Sequence, residues 1–255
     1  MSVTAQDLFQ TLETDELLLS DEPQMESSQH YHQLQVLVTG LEWHWRDRND
    51  FFIGANLSVY YNRDHPRRRK FIGPDFFLVR NTERRPRPSW AIWKEGGRYP
   101  DLIIELLSPS TARVDRNDKK TFYHQQFRTP EYYWFSPDTL EFAGFHWAEE
   151  GYQPQVPNEY GLLWSPVLEL HLGVSDGELR YFTAEGEKIA TPDEAALRAY
   201  RRIDQEQQRA ERAQRMAERA QQTVEQERQR AEQERQRSER LAAQLRALGV
   251  DPDAP

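Results

Sequence analysis

The chain has 255 residues, a length that is enough for one substantial domain plus an appendage. Hydrophobic residues make up 37% of the chain and charged residues 29%. It has no cysteine, which excludes a disulfide framework and a thiolate zinc site. The net charge of −9 argues against nonspecific coating of nucleic acid, although a local basic surface is compatible with it. Residues 1–23 read as a flexible arm without the basic start and apolar core of a secretory signal, and no run is long enough to cross a membrane. We therefore expect a cytoplasmic protein.

Residues 24–190 alternate between helical and strand patterns. Leucines spaced three and four apart between positions 34 and 41 predict a helix that begins near Met25, with His30 on a face different from the leucines. Apolar runs predict strands over residues 51–61, 71–79, 102–107, 131–135, 142–147, 162–164, 168–172 and 179–182. A long polar connection that contains prolines and arginines occupies residues 80–98. This alternation predicts a mixed α/β domain.

Residues 192–248 differ in composition, because Glu, Gln, Arg and Ala dominate after the opening proline and no glycine occurs. Two seams repeat every seven positions, one from Ala199 and the other from Ile203. This pattern predicts a long coiled-coil-like helix, followed by a disordered tail at residues 249–255. The seams are small and polar in the middle, so a solvated single helix held by Glu–Arg pairs is the alternative to a paired one.

Two acids stand alone within apolar runs. Residues 102–107 are apolar except for Glu105 and read as a strand buried on both faces, where an ionised carboxylate is costly unless its charge is compensated. Asp75 is likewise the lone acid of residues 71–79. If these strands are neighbours, both carboxylates can bind one hard divalent cation. The alternative is that Asp75 caps a turn after Pro74 and that Glu105 pairs with an arginine.

Pro109 follows the predicted strand that contains Glu105. Beyond it, three residues recur every four positions and share one face of a predicted helix: Asp115, Lys119 and Tyr123. Lys119 would lie near the two carboxylates, where an ammonium can orient a water or stabilise charge on a phosphate. With Mg²⁺ or Mn²⁺ bound, such a set of residues is suited to metal-assisted hydrolysis.

Four motifs follow one another along the chain: Gly73-Pro74-Asp75, Pro100-Asp101-x-x-x-Glu105-x-x-Ser108-Pro109-Ser110-Thr111, Asp115-x-x-x-Lys119-x-x-x-Tyr123 and Pro130-Glu131-Tyr132-x-Trp134. Together they resemble the cyanobacterial Uma-type restriction endonuclease family of the PD-(D/E)XK nuclease superfamily, over about residues 25–185. The resemblance implies a restriction-endonuclease-like core, a mixed sheet flanked by helices, that cleaves DNA with a divalent metal. It also implies that Asp75 and Glu105 bind the metal and that both are catalytic. Leu107 stands where the superfamily has its lysine, and in this family Lys119 takes that place.

Three further acids are candidates. Glu26 lies where related nucleases often have an extra acid, and it is equally an ordinary first-turn glutamate. Asp101 follows Pro100, where a turn acceptor is the alternative, and Asp115 is favoured by the helix dipole in any case. The histidines, His30 among them, lack the spacing of a zinc site and are interpreted as surface or packing residues.

Two basic stretches flank Asp75 in the sequence. Their residues are Arg67, Arg68, Arg69 and Lys70 before it and Arg84 and Arg85 after it. Such runs usually lie in solvated loops, but beside a metal site they can contact the phosphates of DNA. Trp90 and Trp93 can stack on exposed bases.

These residues support two hypotheses. The first is a Mg²⁺-dependent DNA endonuclease, which Asp75, Glu105 and Lys119 favour. The second is a catalytically inactive nuclease-like protein that binds nucleic acid or assembles through its C-terminal helix, which Leu107 favours. In either case we expect a homodimer that forms through the core or the C-terminal helix and does not associate with membranes.

Overall fold

A computed structural model of the chain describes residues 19–20, 27–62 and 70–247. Most of the predicted N-terminal arm, Glu26, the arginine run at 67–69 and the predicted tail lie outside these residues. The chain divides into two units, Met1–Asp193 and Glu194–Pro255. Within the described ranges, none of the helices combines the length and hydropathy that a membrane span requires.

The described part of the first unit contains two helical elements and twelve short strands. In chain order they are α1 (Ser28–His44), β1 (Phe51–Ala55), β2 (Val59–Asn62), β3 (Lys70–Ile72), β4 (Phe76–Arg80), β5 (Trp90–Ala91), β6 (Leu102–Leu106), α2 (the consecutive segments Val114–Lys119, Lys120–Phe122 and Tyr123–Phe127), β7 (Glu131–Phe135), β8 (Phe142–His146), β9 (Gln153–Pro154), β10 (Leu163–Ser165), β11 (Leu170–Ser175) and β12 (Glu178–Phe182). Helix α3 (Pro192–Ala247) follows, with 56 residues. The predicted long C-terminal helix is confirmed.

Six strands form the main sheet, in the order β1-β4-β6-β7-β8-β9. Strands β6 and β7 are parallel, and the other neighbours are antiparallel. A parallel pair needs a crossover, and the connection from β6 to β7 contains α2. Two three-stranded sheets, β10-β11-β12 and β3-β2-β5, complete the described strands. The mixed sheet with its helices confirms the predicted α/β class.

The main sheet has an apolar cluster on each face. Along β4, Phe76 and Leu78 pack in the cluster that contains the leucines of α1, whereas Phe77 and Val79 pack in the cluster that contains Tyr123 of α2. This alternation follows from the two-residue period of a strand. The sheet is therefore covered by α1 on one face and by α2 on the other.

Two strands predicted as continuous are each divided in two. Residues 51–61 form β1 and β2, because Asn56 adopts a left-handed conformation (φ 45°) that ends the first strand. Residues 71–79 form β3 and β4, because Pro74 has no amide hydrogen for a ladder. Asp75 consequently lies in the bend directly before β4 and not inside a strand.

The polar connection at residues 80–98 also differs from its prediction. It contains the short strand β5, in which Trp90 is fully buried and stacks on Phe52 with ring centroids 5.2 Å apart. The indole nitrogen of Trp90 donates to the Arg98 carbonyl at 2.8 Å. The hypothesis that Trp90 stacks on bases is therefore wrong, since the ring belongs to the core.

Two glycines should respond in opposite ways to alanine. A Cβ at Gly54 of β1 would overlap the ring of Phe77, so Gly54→Ala should lower the free energy of unfolding by roughly 1–3 kcal/mol. Gly40 lies inside α1, and a Cβ there meets Tyr181 at an ordinary 3.7 Å. Gly40→Ala should therefore raise the free energy of unfolding by up to about 1 kcal/mol. Denaturant unfolding measures both changes, and equal changes would contradict the packing described for β1.

Candidate active site

Asp75 and Glu105 face each other across β4 and β6. The two strands are antiparallel with Phe76 opposite Ile104, so the register places Asp75 opposite Glu105 one residue further on. The Asp75 amide donates to Glu105 Oε2 at 3.4 Å, and the Leu106 amide donates to Asp75 Oδ2 at 2.7 Å. Each carboxylate thus accepts from the backbone of the opposite strand. The two acids that the sequence singled out lie together at one end of this strand pair.

Helix α2 brings three more side chains to Glu105. The Lys119 Nζ lies 3.0 Å from Glu105 Oε2, 3.0 Å from Asp115 Oδ1 and 3.2 Å from the Gly73 carbonyl. The Tyr123 hydroxyl donates to Glu105 Oε1 at 2.8 Å. The four-residue spacing of Asp115, Lys119 and Tyr123 therefore does place them on one face of the helix, as predicted.

The turn that leads from β6 towards α2 is closed by local hydrogen bonds. The Thr111 amide donates to Ser108 Oγ at 3.2 Å, and the Ser108 amide donates to Thr111 Oγ1 at 3.4 Å. These reciprocal bonds supply acceptors to amides at a helix start. The segments Val114–Lys119 and Tyr123–Phe127 are π-helical, a conformation frequent at functional sites. The helix face with Lys119 is thereby set against the sheet.

His30 is a site residue that the sequence interpretation missed. Its Nε2 lies 3.0 Å from Asp75 Oδ1, and the side chain is buried at the start of α1. The expected separate helix face was wrong, because His30 precedes Leu34 by four residues and Leu37 by seven, which is the spacing of one stripe. That spacing was the signal available in the sequence.

Burial and charge act differently on the two carboxylates. Glu105 is 0% exposed, and burial raises the pKa of its carboxyl well above the usual value against the opposing charge of Lys119. The Asp75 side chain is 19% exposed. Burial alone would raise the pKa of Asp75, but the hydrogen bond and charge of His30, then the charge of Lys119, bring it below the usual value. Asp75 is thus the ionised carboxylate that borders solvent.

Lys119 remains an ammonium in this setting. Burial would lower the pKa of Lys119, but the carboxylates of Glu105, Asp115 and Asp75 raise it above the usual value. Its side chain is 23% exposed, so Lys119, like Asp75, is partly open to solvent. Glu105 therefore pairs with Lys119 and not with an arginine, which was the predicted alternative.

The other predicted acids differ in their placement. Asp115 is 1% exposed and reaches the site through Lys119. Asp101 lies at the opposite end of the strand pair, where it accepts from the Arg80 amide at 2.8 Å and lies 3.5 Å from that guanidinium. Leu107 is buried in the cluster with Tyr123, so the position of the superfamily lysine is part of the core.

The structure does not bring Arg84 and Arg85 to the site. The Arg84 amide donates to the Asn49 carbonyl at 3.0 Å, beside the end of β1 that is remote from Asp75. Arg84 pairs with Glu42 at 3.1 Å and Arg85 with Glu95 at 2.8 Å, and both line an open cavity of about 410 Å³. Lys70, in contrast, is exposed on β3, the strand that leads to Gly73 and Asp75.

Oxygen atoms at this site already surround a cation. Within the described residues, no group of three or more His, Asp and Glu side chains is arranged to hold a metal ion. However, oxygens of Glu105, Asp115 and Gly73 converge on the Lys119 ammonium. Mg²⁺ often takes only one or two protein carboxylates and completes its shell with waters and phosphate oxygens. Asp75 and Glu105 fit that requirement.

Comparisons with known proteins give the family of the chain. A model of the Uma2 family, described as "Putative restriction endonuclease", matches residues 18–185. No curated protein matches the chain. A crystal structure of a "putative nuclease belonging to DUF820" from Anabaena variabilis ATCC 29413 is similar with a TM-score of 0.44 and 17% identity, over 61% of this chain and 83% of that one. The family match covers well over half of the sequence and confirms the resemblance seen in its motifs. This chain belongs to the Uma2 family.

Proposed function

We propose that this protein is a divalent-metal-dependent endonuclease that hydrolyses phosphodiester bonds of DNA. The observation that carries the proposal is the meeting of Asp75, Glu105 and Lys119 at one end of the strand pair β4–β6, where the side chains of Asp75 and Lys119 are partly exposed. Membership of a restriction endonuclease family supports the same chemistry.

The residues have separate roles in the proposed reaction. Asp75 and Glu105 would hold Mg²⁺ or Mn²⁺. The bound cation supplies charge neutralisation at the phosphate and a more acidic water. Lys119 places its ammonium beside the phosphate, where it stabilises developing negative charge. The Tyr123 hydroxyl and the Leu106 amide fix the orientation of the two carboxylates.

A second candidate function is a nuclease-like core that binds nucleic acid without cleaving it. The observation that favours it is that the Lys119 ammonium lies within 3.0–3.2 Å of three protein oxygens, those of Glu105, Asp115 and Gly73. This ammonium already compensates for part of the carboxylate charge without a metal ion. Calorimetry with Mn²⁺ separates the two candidates, because a core of this second kind has no need of a divalent cation.

The proposed roles predict different defects. Asp75→Asn and Glu105→Gln should abolish both Mn²⁺ binding and cleavage, because each removes a charged ligand. Lys119→Ala should leave Mn²⁺ bound while cleavage falls about a hundredfold or more, the scale of one lost electrostatic donor. Calorimetry and plasmid cleavage with Mg²⁺ or Mn²⁺ measure the two properties.

Lys120→Ala is the control for Lys119. The Lys120 Nζ lies 3.3 Å from the centroid of the Phe145 ring and 5.3 Å from that of Trp134. Its loss should remove a cation–π contact and leave cleavage near the wild-type rate. Wild-type protein that binds no divalent cation, or a Lys120 variant that loses cleavage as Lys119→Ala does, would refute these roles.

We also propose that the basic stretch before Asp75 contacts DNA phosphates. Replacing Arg67, Arg68 and Arg69 with alanine should weaken DNA binding and reduce the slope of log affinity against log salt by roughly one per lost contact. Arg84 and Arg85, already paired with Glu42 and Glu95, serve as the matched control, and their replacement should change the slope little. If replacing Arg84 and Arg85 reduces the slope and replacing Arg67, Arg68 and Arg69 does not, the DNA contacts lie at the other end of β1.

We further propose that α3 pairs two copies of the chain. The seam residues Ile203 and Val224 are exposed, as is Leu241 near the end of the helix. Contacts within α3 itself support the alternative, a solvated single helix, because an acid at every seventh position bonds or pairs with a Gln or Arg four residues away. These acids are Asp204, Glu211, Glu218, Glu225, Glu232 and Glu239.

A charge placed in the seam should separate the copies. Val224→Glu should convert dimers to monomers in sedimentation equilibrium, because the seam would then bury unpaired carboxylates. Gln222→Glu adds the same charge off the seam and should leave the dimer intact. Wild-type protein that sediments as a monomer would support the solvated single helix instead.

A further inference from the structure

We propose that Asp115 is a positioning residue that holds Lys119 at the active site when Glu105 holds the divalent cation. The inference rests on the proposed function. It assigns Asp115 a role that differs both from a metal ligand and from an ordinary acid at a helix start.

Lys119 is held by three oxygen atoms in the structure. Its ammonium donates hydrogen bonds to Glu105 Oε2 at 3.0 Å and to the Gly73 carbonyl at 3.2 Å, and it forms an ion pair with Asp115 Oδ1 at 3.0 Å. A divalent cation held by Asp75 and Glu105 would repel the ammonium and weaken its contact with Glu105. Asp115 and Gly73 would then remain to hold Lys119.

The charges support this role. The ammonium of Lys119 lies 3.0 Å from a carboxylate oxygen of Glu105 and 3.0 Å from one of Asp115. A divalent cation held at Glu105 would repel Lys119, and of these two carboxylates that of Asp115 would remain to offset the repulsion. Asp115 therefore allows both cations to stay.

Asp115 is held so that it cannot follow the metal. The residue is 1% exposed, its amide donates to the Thr111 carbonyl at 3.0 Å, and its carbonyl accepts from the Tyr132 hydroxyl at 2.7 Å. Tyr132 belongs to β7, so the sheet itself anchors this turn of α2. A fixed carboxylate one turn before Lys119 is a suitable anchor for a side chain that must change one of its partners.

The test uses the full-length protein with Asp115→Asn, Lys119→Ala and the double variant. Asp115→Asn should bind Mn²⁺ with a Kd less than tenfold weaker than wild type by calorimetry, whereas single-turnover plasmid cleavage at saturating Mn²⁺ should fall at least tenfold. The double variant should cleave no more slowly than Lys119→Ala, because Asp115 acts only through Lys119. Asp118→Asn, which removes an exposed acid of the same helix, should match wild type in both measurements.

Three results would overturn the inference alone, with wild-type binding and cleavage intact. The first is a loss of Mn²⁺ affinity of tenfold or more in Asp115→Asn, which would mark Asp115 as a metal ligand. The second is a cleavage rate of Asp115→Asn within tenfold of wild type. The third is additive losses of cleavage in the double variant. If Asp115→Asn does not fold, Asp115→Glu replaces it and should keep Mn²⁺ binding and recover cleavage to within tenfold of wild type; failure in either measurement would overturn the inference. A wild type that neither binds Mn²⁺ nor cleaves would overturn the proposed function itself.

Discussion

The candidate active site depends on how the sheet accommodates the carboxyl group of Glu105. That group is fully buried near the end of β6, where an unpaired charge would cost several kcal/mol, on the order of the penalty for breaking a buried pair. The Tyr123 hydroxyl donates to Glu105 Oε1, and Lys119 and the Asp75 amide both donate to Glu105 Oε2. Because both side chains come from α2, the crossover helix is a structural requirement of the strand that precedes it.

This arrangement gives one lysine two tasks that compete. In the metal-free protein Lys119 compensates for the charge of Glu105 and thereby stabilises the fold. In the proposed reaction the same ammonium must serve the phosphate. Stability and activity therefore draw on the same hydrogen-bond donors, and a mutation that makes the Lys119–Glu105 pair tighter would stabilise the protein while it opposes the binding of the cation.

Sequence patterns predicted what depends on local spacing. The apolar run around Glu105 and the four-residue spacing of Asp115, Lys119 and Tyr123 were sufficient to predict that Glu105 and Lys119 lie at the same site. The bend at Pro74 could have been predicted from its missing amide hydrogen, and the place of His30 from its distance to the leucines. The position of Arg84 could not, because it depends on the direction of β4, which carries the chain away from Asp75 after that residue. Closeness in sequence does not become closeness in space when a strand lies between.

The burial of Leu107 has a consequence for the order in which the site is completed. A lysine on the strand itself would join the acids as soon as β4 and β6 pair. Here that position is core, and the cationic group arrives from a helix that must first dock on the sheet. A nascent or partly unfolded chain in which the strands have paired but α2 is detached has both acids and no lysine. The candidate site is therefore complete only when the crossover helix is docked on the sheet.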